Sequence, residues 1–201
     1  MALLSVALLA GSAGAQWDEA VDLAPALGPK RMAEVLRQAK ARRMSMERDQ
    51  VAVEIREGLL FDPDKVELAI KQLMHKPKDS WEDNTRRICR AFAVVDPRFG
   101  SAWAALEKGD YAAAAKLVKP LISKRDTSYL AAARRYCYAE ALAGQGKYED
   151  AVDAYTGLVK AMPDRFSFAS VALLRAAAMY EKMHRRYYAM SLYKAWVDSF
   201  G

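Results

Sequence analysis

The sequence has few of the residues that build disulfide scaffolds, metal centres or linkers. Its 201 residues include two Cys, two His, ten Gly and seven Pro. Two Cys exclude a disulfide framework, and the distant His75 and His184 leave little for a metal or acid–base site. No Gly-rich phosphate loop, GxSxG elbow or HExxH motif is present. We therefore expect a non-enzymatic protein with no catalytic residue, metal ion or cofactor.

The residues that are abundant favour helices. Apolar residues make up 53% of the chain and charged residues 28%, which is too apolar for a disordered protein. Ala, Leu, Lys, Arg, Glu and Met dominate, and these are the strong helix formers. The length fits one domain or a short array of stacked repeats. The composition therefore predicts an all-α fold.

The first fifteen residues, MALLSVALLAGSAGA, are typical of a secretory signal peptide. They carry no charged side chain, and an apolar run is followed by small residues. Ala13 and Ala15 supply the small side chains that a signal peptidase requires at positions −3 and −1. A basic residue near the start is missing, which leaves two alternatives: a true start that lies upstream, or an ordinary Ala-rich helix. The apolar run is too short to cross a bilayer. We expect residues 1–15 to be removed and the protein to be exported or periplasmic, with a cytoplasmic location as the alternative.

Three segments in the second half of the chain align on one pattern. Each predicts two helices that flank a turn, and the turns lie at Gly109, Gly146 and His184. The spacings between the turns are 37 and 38 residues, which fits a pair of helices of 12–16 residues with their connections. Small residues at matching offsets would let the paired helices approach closely: Ala114, Ala139, Ala151, Ala177 and Ala189.

This pattern resembles the tetratricopeptide repeat, an antiparallel helix pair of about 34 residues. The segment with Leu142, Gly146, Tyr148, Tyr155 and Pro163 is the best match. The resemblance implies about three repeats over residues 99–201, stacked as an α-α superhelix that binds another protein or a peptide. It also implies that the first helix of each repeat lines the binding groove. The residues carried over to that groove are Trp103, Tyr136, Glu140, Leu174, Ala178 and Glu181.

The N-terminal region, residues 16–98, shows no clear repeat. Pro29 predicts the start of a long helix to about Glu57, and its mixed charges indicate a solvated face rather than a polyanion-binding stripe. Asp62-Pro63-Asp64 and Ser80 with Asp83 are helix-start signals. They predict a helix pair over residues 64–95, which is either a degenerate repeat stacked ahead of the first or a separate element.

Several surface features leave alternatives open. Trp196 and Phe200 either pack against a second subunit, fold back on the array, or belong to a fragment of a larger protein. Tyr187 and Tyr188 are more typical of packing between helices than of a nucleic-acid stacking platform. Cys89 and Cys137 lie within separate predicted helices, and we expect two separately buried thiols.

The net charge of +6 is moderate and dispersed along the chain. It favours an acidic partner surface and does not establish nucleic-acid binding. The leading hypothesis is an exported scaffold for other proteins, without a transmembrane segment. The alternatives are a cytoplasmic protein that binds a polyanion and a regulatory fragment of a larger protein.

Overall fold

The structure is a computed structural model that describes residues 29–58, 62–75 and 80–200. Within these ranges the chain forms helices and no strand, which confirms the predicted all-α class. The α-helices are α1 (Pro29–Gly58), α2 (Pro63–Met74), α3 (Trp81–Val95), α4 (Pro97–Glu107), α5 (Tyr111–Val118), α6 (Tyr129–Gly144), α7 (Tyr148–Ala161), α8 (Phe166–Lys182) and α9 (Arg186–Phe200). A short 3₁₀ helix, Lys119–Leu121, follows α5.

The contacts divide the chain between Arg43 and Met44 into two units. In the described part of the first unit, the Glu34 carboxylate accepts hydrogen bonds from Arg37 and Gln38 on the surface of α1. The second unit contains the rest of α1 and all the later helices. The predicted boundary between residues 98 and 99 lies inside this second unit.

The predicted helix starts form as the capping rules require. The Asp62 side chain accepts a hydrogen bond from the Asp64 amide at the start of α2, and Ser80 Oγ accepts one from the Asp83 amide at the start of α3. Asp96 caps α4 in the same way and forms an ion pair with Arg134 of α6, with a separation of 2.7 Å. These caps satisfy first-turn amides that have no partner within the helix. The local start signals in the sequence are therefore confirmed.

Three helix pairs, α4–α5, α6–α7 and α8–α9, have the same connecting turn. Gly109, Gly146 and His184 have φ angles of +79°, +75° and +58°. In each turn the amide of this residue bonds to the carbonyl three residues earlier, and the next amide bonds to the carbonyl five residues earlier. Glycine adopts positive φ without strain, whereas His184 does so at a cost. The three predicted turns are thus confirmed, including the one without glycine.

Small side chains lie at the contacts between paired helices, as predicted. All five are buried: Ala114, Ala139, Ala151, Ala177 and Ala189. Large side chains, including Phe92, Phe99, Tyr155 and Phe168, fill the core between neighbouring helices. Close packing of this kind makes each helix position sensitive to small changes in volume.

The α2–α3 pair contacts more than one of the later helix pairs. A stacked repeat contacts only its neighbours, but α3 packs against α4, α6 and α8. The contacts of α3 therefore differ from those of a stacked repeat, and a degenerate repeat over residues 64–95 stays a hypothesis. α3 contacts the first helix of each of the three later pairs.

Candidate functional site: the first-helix face and the outer face of α9

The first helices of the three pairs form the face on which the sequence placed the binding groove. We call the surface of α4, α6 and α8 that contacts α3 the first-helix face. Trp103 is only 6% exposed and packs against Phe99, and Tyr136 is 2% exposed and packs against Tyr155 and Phe168. These two aromatic residues therefore belong to the core. Their assignment to an open groove is corrected, because their side chains are enclosed by the chain itself.

Glu140 lies in a polar network that joins four helices. Its carboxylate accepts a hydrogen bond from the Tyr155 hydroxyl at 2.6 Å and lies 3.2 Å from Arg175 Nε. Arg175 also donates to Glu82 of α3 at 2.9 Å. Burial and the adjacent Glu140 carboxylate raise the pKa of Tyr155 well above its usual value. Through Arg175, Glu140 therefore links the first-helix face to α3. Its negative charge is balanced by Arg175 inside the chain.

The remaining predicted groove residues lie further along α8. Leu174 and Ala178 are partly buried, and Glu181 is exposed near the turn at His184. The six predicted residues therefore do not form one open surface.

α1 contributes two carboxylates that cap first helices. Glu54 accepts hydrogen bonds from the Tyr129 and Leu130 amides at 2.8 and 2.9 Å, at the start of α6. Glu47 accepts a hydrogen bond from the Ser167 amide at 3.1 Å, at the start of α8. Glu47 and Glu54 are seven residues apart in α1, which corresponds to about 10 Å along the helix. This distance matches the spacing between two packed helices such as α6 and α8. The two carboxylates thus reach the positive ends of neighbouring helices.

The Glu47 carboxylate is the most buried charged group in this region, with an exposure of 2%. The Ser167 hydroxyl also donates to it, and Asn84 Nδ2 lies 3.3 Å away. Arg48 donates to Asn84 Oδ1 at 2.9 Å. Burial raises the pKa of Glu47 to about 7, although the hydrogen bonds from Ser167 and Asn84 act in the opposite direction. The protonation of Glu47 therefore changes near neutral pH.

The sequence interpretation missed this docking of α1. It assigned Glu47 and Glu54 to a solvated face of mixed charge. The signal that could have revealed the contact is the buried stripe that runs through the same part of the helix: Met44, Val51, Ala52 and Ile55. Carboxylates beside an apolar stripe indicate contacts with donors on another element.

The outer face of α9 is open and carries large apolar side chains. The side chains of Tyr187, Met190 and Val197 are 81%, 71% and 61% exposed. Tyr188 is half exposed and stacks on Tyr180, with ring centroids 5.3 Å apart. The expectation that both tyrosines pack between helices therefore does not hold for Tyr187.

Trp196 and Phe200 lie on the opposite, inward side of α9. Trp196 Nε1 donates to Ser170 Oγ of α8 at 2.8 Å, and the Phe200 ring contacts Trp81 edge to face at 6.2 Å. Of the three alternatives for these residues, the structure places them back on the helices of the same chain. Self-association through the same two side chains stays a hypothesis.

A basic cleft of about 690 Å³ lies between α2 and α3. Its arginines are engaged by acidic side chains: Arg86 by Glu82, Arg87 by Asp83 and Arg90 by Glu107. Arg87 also donates to backbone carbonyls of α2 and of the residue after it. The cleft is therefore lined by paired arginines, and it is Arg87 that joins α3 to α2 through the Gln72 and His75 carbonyls.

Cys89 and Cys137 are both buried free thiols, as predicted, and burial raises the pKa of Cys137 to about 12. Over residues 29–58, 62–75 and 80–200, no group of three or more His, Cys, Asp or Glu is placed to hold a metal ion. In the same ranges, no helix combines the length and the apolar character that crossing a bilayer requires.

Comparison with known proteins identifies no relative of this chain. No family model, no curated protein and no solved structure matches the chain.

Proposed function

We propose that the chain is a non-enzymatic scaffold, built on tetratricopeptide-like helix pairs, that binds another protein. Support for the repeat arrangement comes from the three turns, which have the same hydrogen bonds and positive φ at spacings of 37 and 38 residues. Stacked helix pairs offer extended surfaces for protein recognition without chemistry. The resemblance to the tetratricopeptide family favours the same role.

The partner surface in this proposal is the outer face of α9 rather than the first-helix face. Tyr187, Met190 and Val197, exposed together along one helix, are the observation that carries the proposal. Contiguous exposed apolar side chains mark interaction sites. The first-helix face is covered by α3, and the starts of α6 and α8 are capped by carboxylates of α1. A partner would have to displace α3 to use this face.

The position of these residues in the helix pair supports the same conclusion. Val152 of α7 precedes Met190 by 38 residues, and Val159 precedes Val197 by the same number. α7 packs against the following helix α8, and Val152 is only 4% exposed. Met190 and Val197 therefore occupy the positions by which the preceding pair packs against the next helix. A helix from a partner fits this face of α9.

The proposal also places the protein outside the cytoplasm, as the first fifteen residues indicate. They lie outside the described residues, so the argument rests on the sequence MALLSVALLAGSAGA. We expect the mature protein to begin at Gln16. The intact mass of protein purified from the native host tests this, and retention of residues 1–15 would remove the proposed location.

Site-specific photo-crosslinking tests the proposed surface. A benzophenone amino acid at Met190 should give a discrete protein adduct in cells that produce the full chain. The matched control is the same probe at Lys124, which is exposed in the loop before α6. Adducts that are identical at both positions, or absent at both, would contradict the proposed partner surface. Mass spectrometry of a Met190-specific adduct identifies the bound protein.

A further inference from the structure

The cleft between α2 and α3 carries more positive than negative charge on its walls. Its volume is about 690 Å³, and its lining includes four cationic side chains, Lys71, Arg86, Arg87 and Arg90, and one carboxylate, that of Asp83. A concave surface with an excess of one charge concentrates ions of the opposite sign. We propose that this cleft binds a phosphate-bearing anion. The site goes beyond the scaffold function and does not depend on the partner surface of α9.

The two walls of the cleft run side by side over two helical turns. Only six residues separate the end of α2 from the start of α3, which is typical of antiparallel neighbours. The lining extends from Leu68 to His75 on the first wall and from Asp83 to Arg90 on the second. Seven helical residues correspond to about 10 Å. The cleft is therefore short enough for one small anion to contact both walls.

Arg87 fixes the position of one wall relative to the other. Its side chain is mostly buried and lies 2.6 Å from the Asp83 carboxylate. It also donates to the Gln72 and His75 carbonyls at the end of α2. Arg87 is therefore a positioning residue, and the cleft is formed before a ligand enters it. A preformed site lowers the cost of ordering side chains on binding.

Arg86 and Arg90 are exposed on the α3 wall, one helical turn apart. Arg86 contacts an oxygen of Glu82 that also accepts from Arg175. Arg90 pairs with Glu107 at 3.0 Å. The side chains of both arginines are more than half exposed, and ion pairs of this kind contribute little to stability. Both guanidinium groups can therefore turn toward an anion in the cleft at little cost.

Lys71 supplies a cation on the opposite wall. It lies in the last turn of α2, and its side chain is exposed. Among the residues that the structure describes, its ammonium group makes no ion pair and no hydrogen bond. An anion that binds between the walls would therefore gain a contact with Lys71 without breaking one.

This arrangement fits a phosphate better than a carboxylate. A phosphate group has three strong acceptor oxygens and carries roughly two negative charges near neutral pH. It can accept from Arg86 and Arg90 on one wall and from Lys71 on the other. A carboxylate has two oxygens in one plane and matches a single guanidinium group. The same phosphate chemistry is offered by a soluble phosphate compound and by the headgroup of an anionic lipid.

Isothermal titration calorimetry of the full chain with inorganic pyrophosphate tests the site. We expect one site per chain, with a dissociation constant of roughly 0.1–1 mM at low salt. Citrate is the matched probe, because it has a similar net charge near neutral pH and carries only carboxylates. It should bind at least about tenfold more weakly than pyrophosphate.

Lys71→Gln and Lys65→Gln form a matched pair that locates the binding. Both lysines are exposed on α2, but Lys65 is not part of the cleft lining. Lys71→Gln should weaken pyrophosphate binding about tenfold, whereas Lys65→Gln should change it by less than about twofold. Arg86→Gln should also weaken binding about tenfold, and Glu82 keeps its contact with Arg175 in that variant. Circular dichroism of each variant verifies that the helices are retained.

Cosedimentation with vesicles separates the two sources of the phosphate. The vesicles contain phosphatidylglycerol in phosphatidylcholine, or phosphatidylcholine alone. Binding that requires phosphatidylglycerol and is lost in Lys71→Gln but not in Lys65→Gln identifies a lipid headgroup as the ligand. Pyrophosphate binding without such vesicle binding identifies a soluble phosphate compound.

Three results would overturn the proposed site. The first is the absence of binding by both pyrophosphate, up to about 20 mM, and the vesicles. The second is an equal effect of Lys71→Gln and Lys65→Gln, which would show diffuse attraction by the net charge. The third is citrate that binds as tightly as pyrophosphate, which would show that the cleft does not select phosphate.

Discussion

Replacing Glu47 by Gln should change how the stability of the protein depends on pH. The Glu47 carboxylate is 2% exposed, and burial is the largest cause that raises its pKa from 4.5 to about 7. In the unfolded chain the carboxyl loses its proton near pH 4.5. Between these two values the folded protein therefore binds a proton that the unfolded protein has released.

The sign of the effect follows from this difference. The stability contributed by the raised pKa is fully present below about pH 4.5 and is lost as the pH rises through about 7. Each pKa unit corresponds to 1.36 kcal/mol, so the full loss is about 3 kcal/mol. Most of it should occur between pH 5 and pH 8. Gln at this position has no proton to lose and retains an oxygen that can accept from the Ser167 amide.

Urea unfolding followed by circular dichroism at pH 5, 6, 7 and 8 measures this effect. The difference in unfolding free energy between wild type and Glu47→Gln should shift by about 2–3 kcal/mol in favour of Gln as the pH rises over this range. Glu34→Gln is the matched control. Its carboxylate is exposed and its pKa is lowered by hydrogen bonds from Arg37 and Gln38, so it stays ionised from pH 5 to 8.

A difference between wild type and Glu47→Gln that stays constant from pH 5 to 8 would refute the reasoning. It would mean that the hydrogen bonds from Ser167 and Asn84 outweigh burial and keep the carboxylate ionised in the folded protein.

Further predictions concern packing and turns. Gly100→Ala places a Cβ 2.4 Å from the Ala93 carbonyl oxygen and should destabilise the protein by about 1–2 kcal/mol. Gly157 is exposed in α7, and a Cβ added there meets no neighbouring atom within 4 Å. Gly157→Ala should therefore stabilise the protein by up to about 1 kcal/mol. Chemical unfolding of the two variants should give shifts of opposite sign, and shifts of the same sign would contradict the close approach of α3 and α4. His184→Gly should stabilise the protein by about 1 kcal/mol and Gly146→Ala should destabilise it by a similar amount, because both positions have positive φ. Thermal unfolding checks this pair, and a lower melting temperature for His184→Gly would argue against the left-handed turn.

The parts of the fold that the sequence predicts are those with a local cause. The turns at Gly109 and Gly146 depend on a residue type that tolerates positive φ, and the helix starts at Asp62 and Ser80 depend on side chains that bond within three residues. Such signals act over a few positions and can be read without the rest of the fold. The repeated offsets then allow the same turn to be assigned at His184.

The docking of α1 could not be predicted in the same way. Glu47 and its partner Ser167 are 120 residues apart in sequence. Nothing local to either residue specifies the other, because the contact exists only once α6 and α8 lie side by side. The apolar stripe of α1 predicts that one face of the helix is buried, but not which surface buries it.

The candidate partner surface illustrates a second limit. Met190 and Trp196 belong to one helix, and both are large and apolar. The structure turns Trp196 toward Ser170 of α8 and leaves Met190 71% exposed. The sequence leaves a subunit contact as one of three alternatives for Trp196 and does not single out Met190. The packing of α9 on α8 decides the outcome, and a shift of two or three positions along a helix changes the side that a residue occupies.

Amide hydrogen exchange at the start of α6 tests the central claim most directly. This claim is that the carboxylates of α1 dock on the starts of α6 and α8, and that the outer face of α9 is left for a partner. The Tyr129 and Leu130 amides have no acceptor within their own helix and bond to Glu54, whereas the next amide, of Ala131, bonds to Ser128 Oγ. We predict slow exchange at Tyr129 and Leu130 in the wild type, and a selective loss of that protection in Glu54→Ala while Ala131 is unchanged. Fast exchange at Tyr129 and Leu130 in the wild type would contradict the docking of α1.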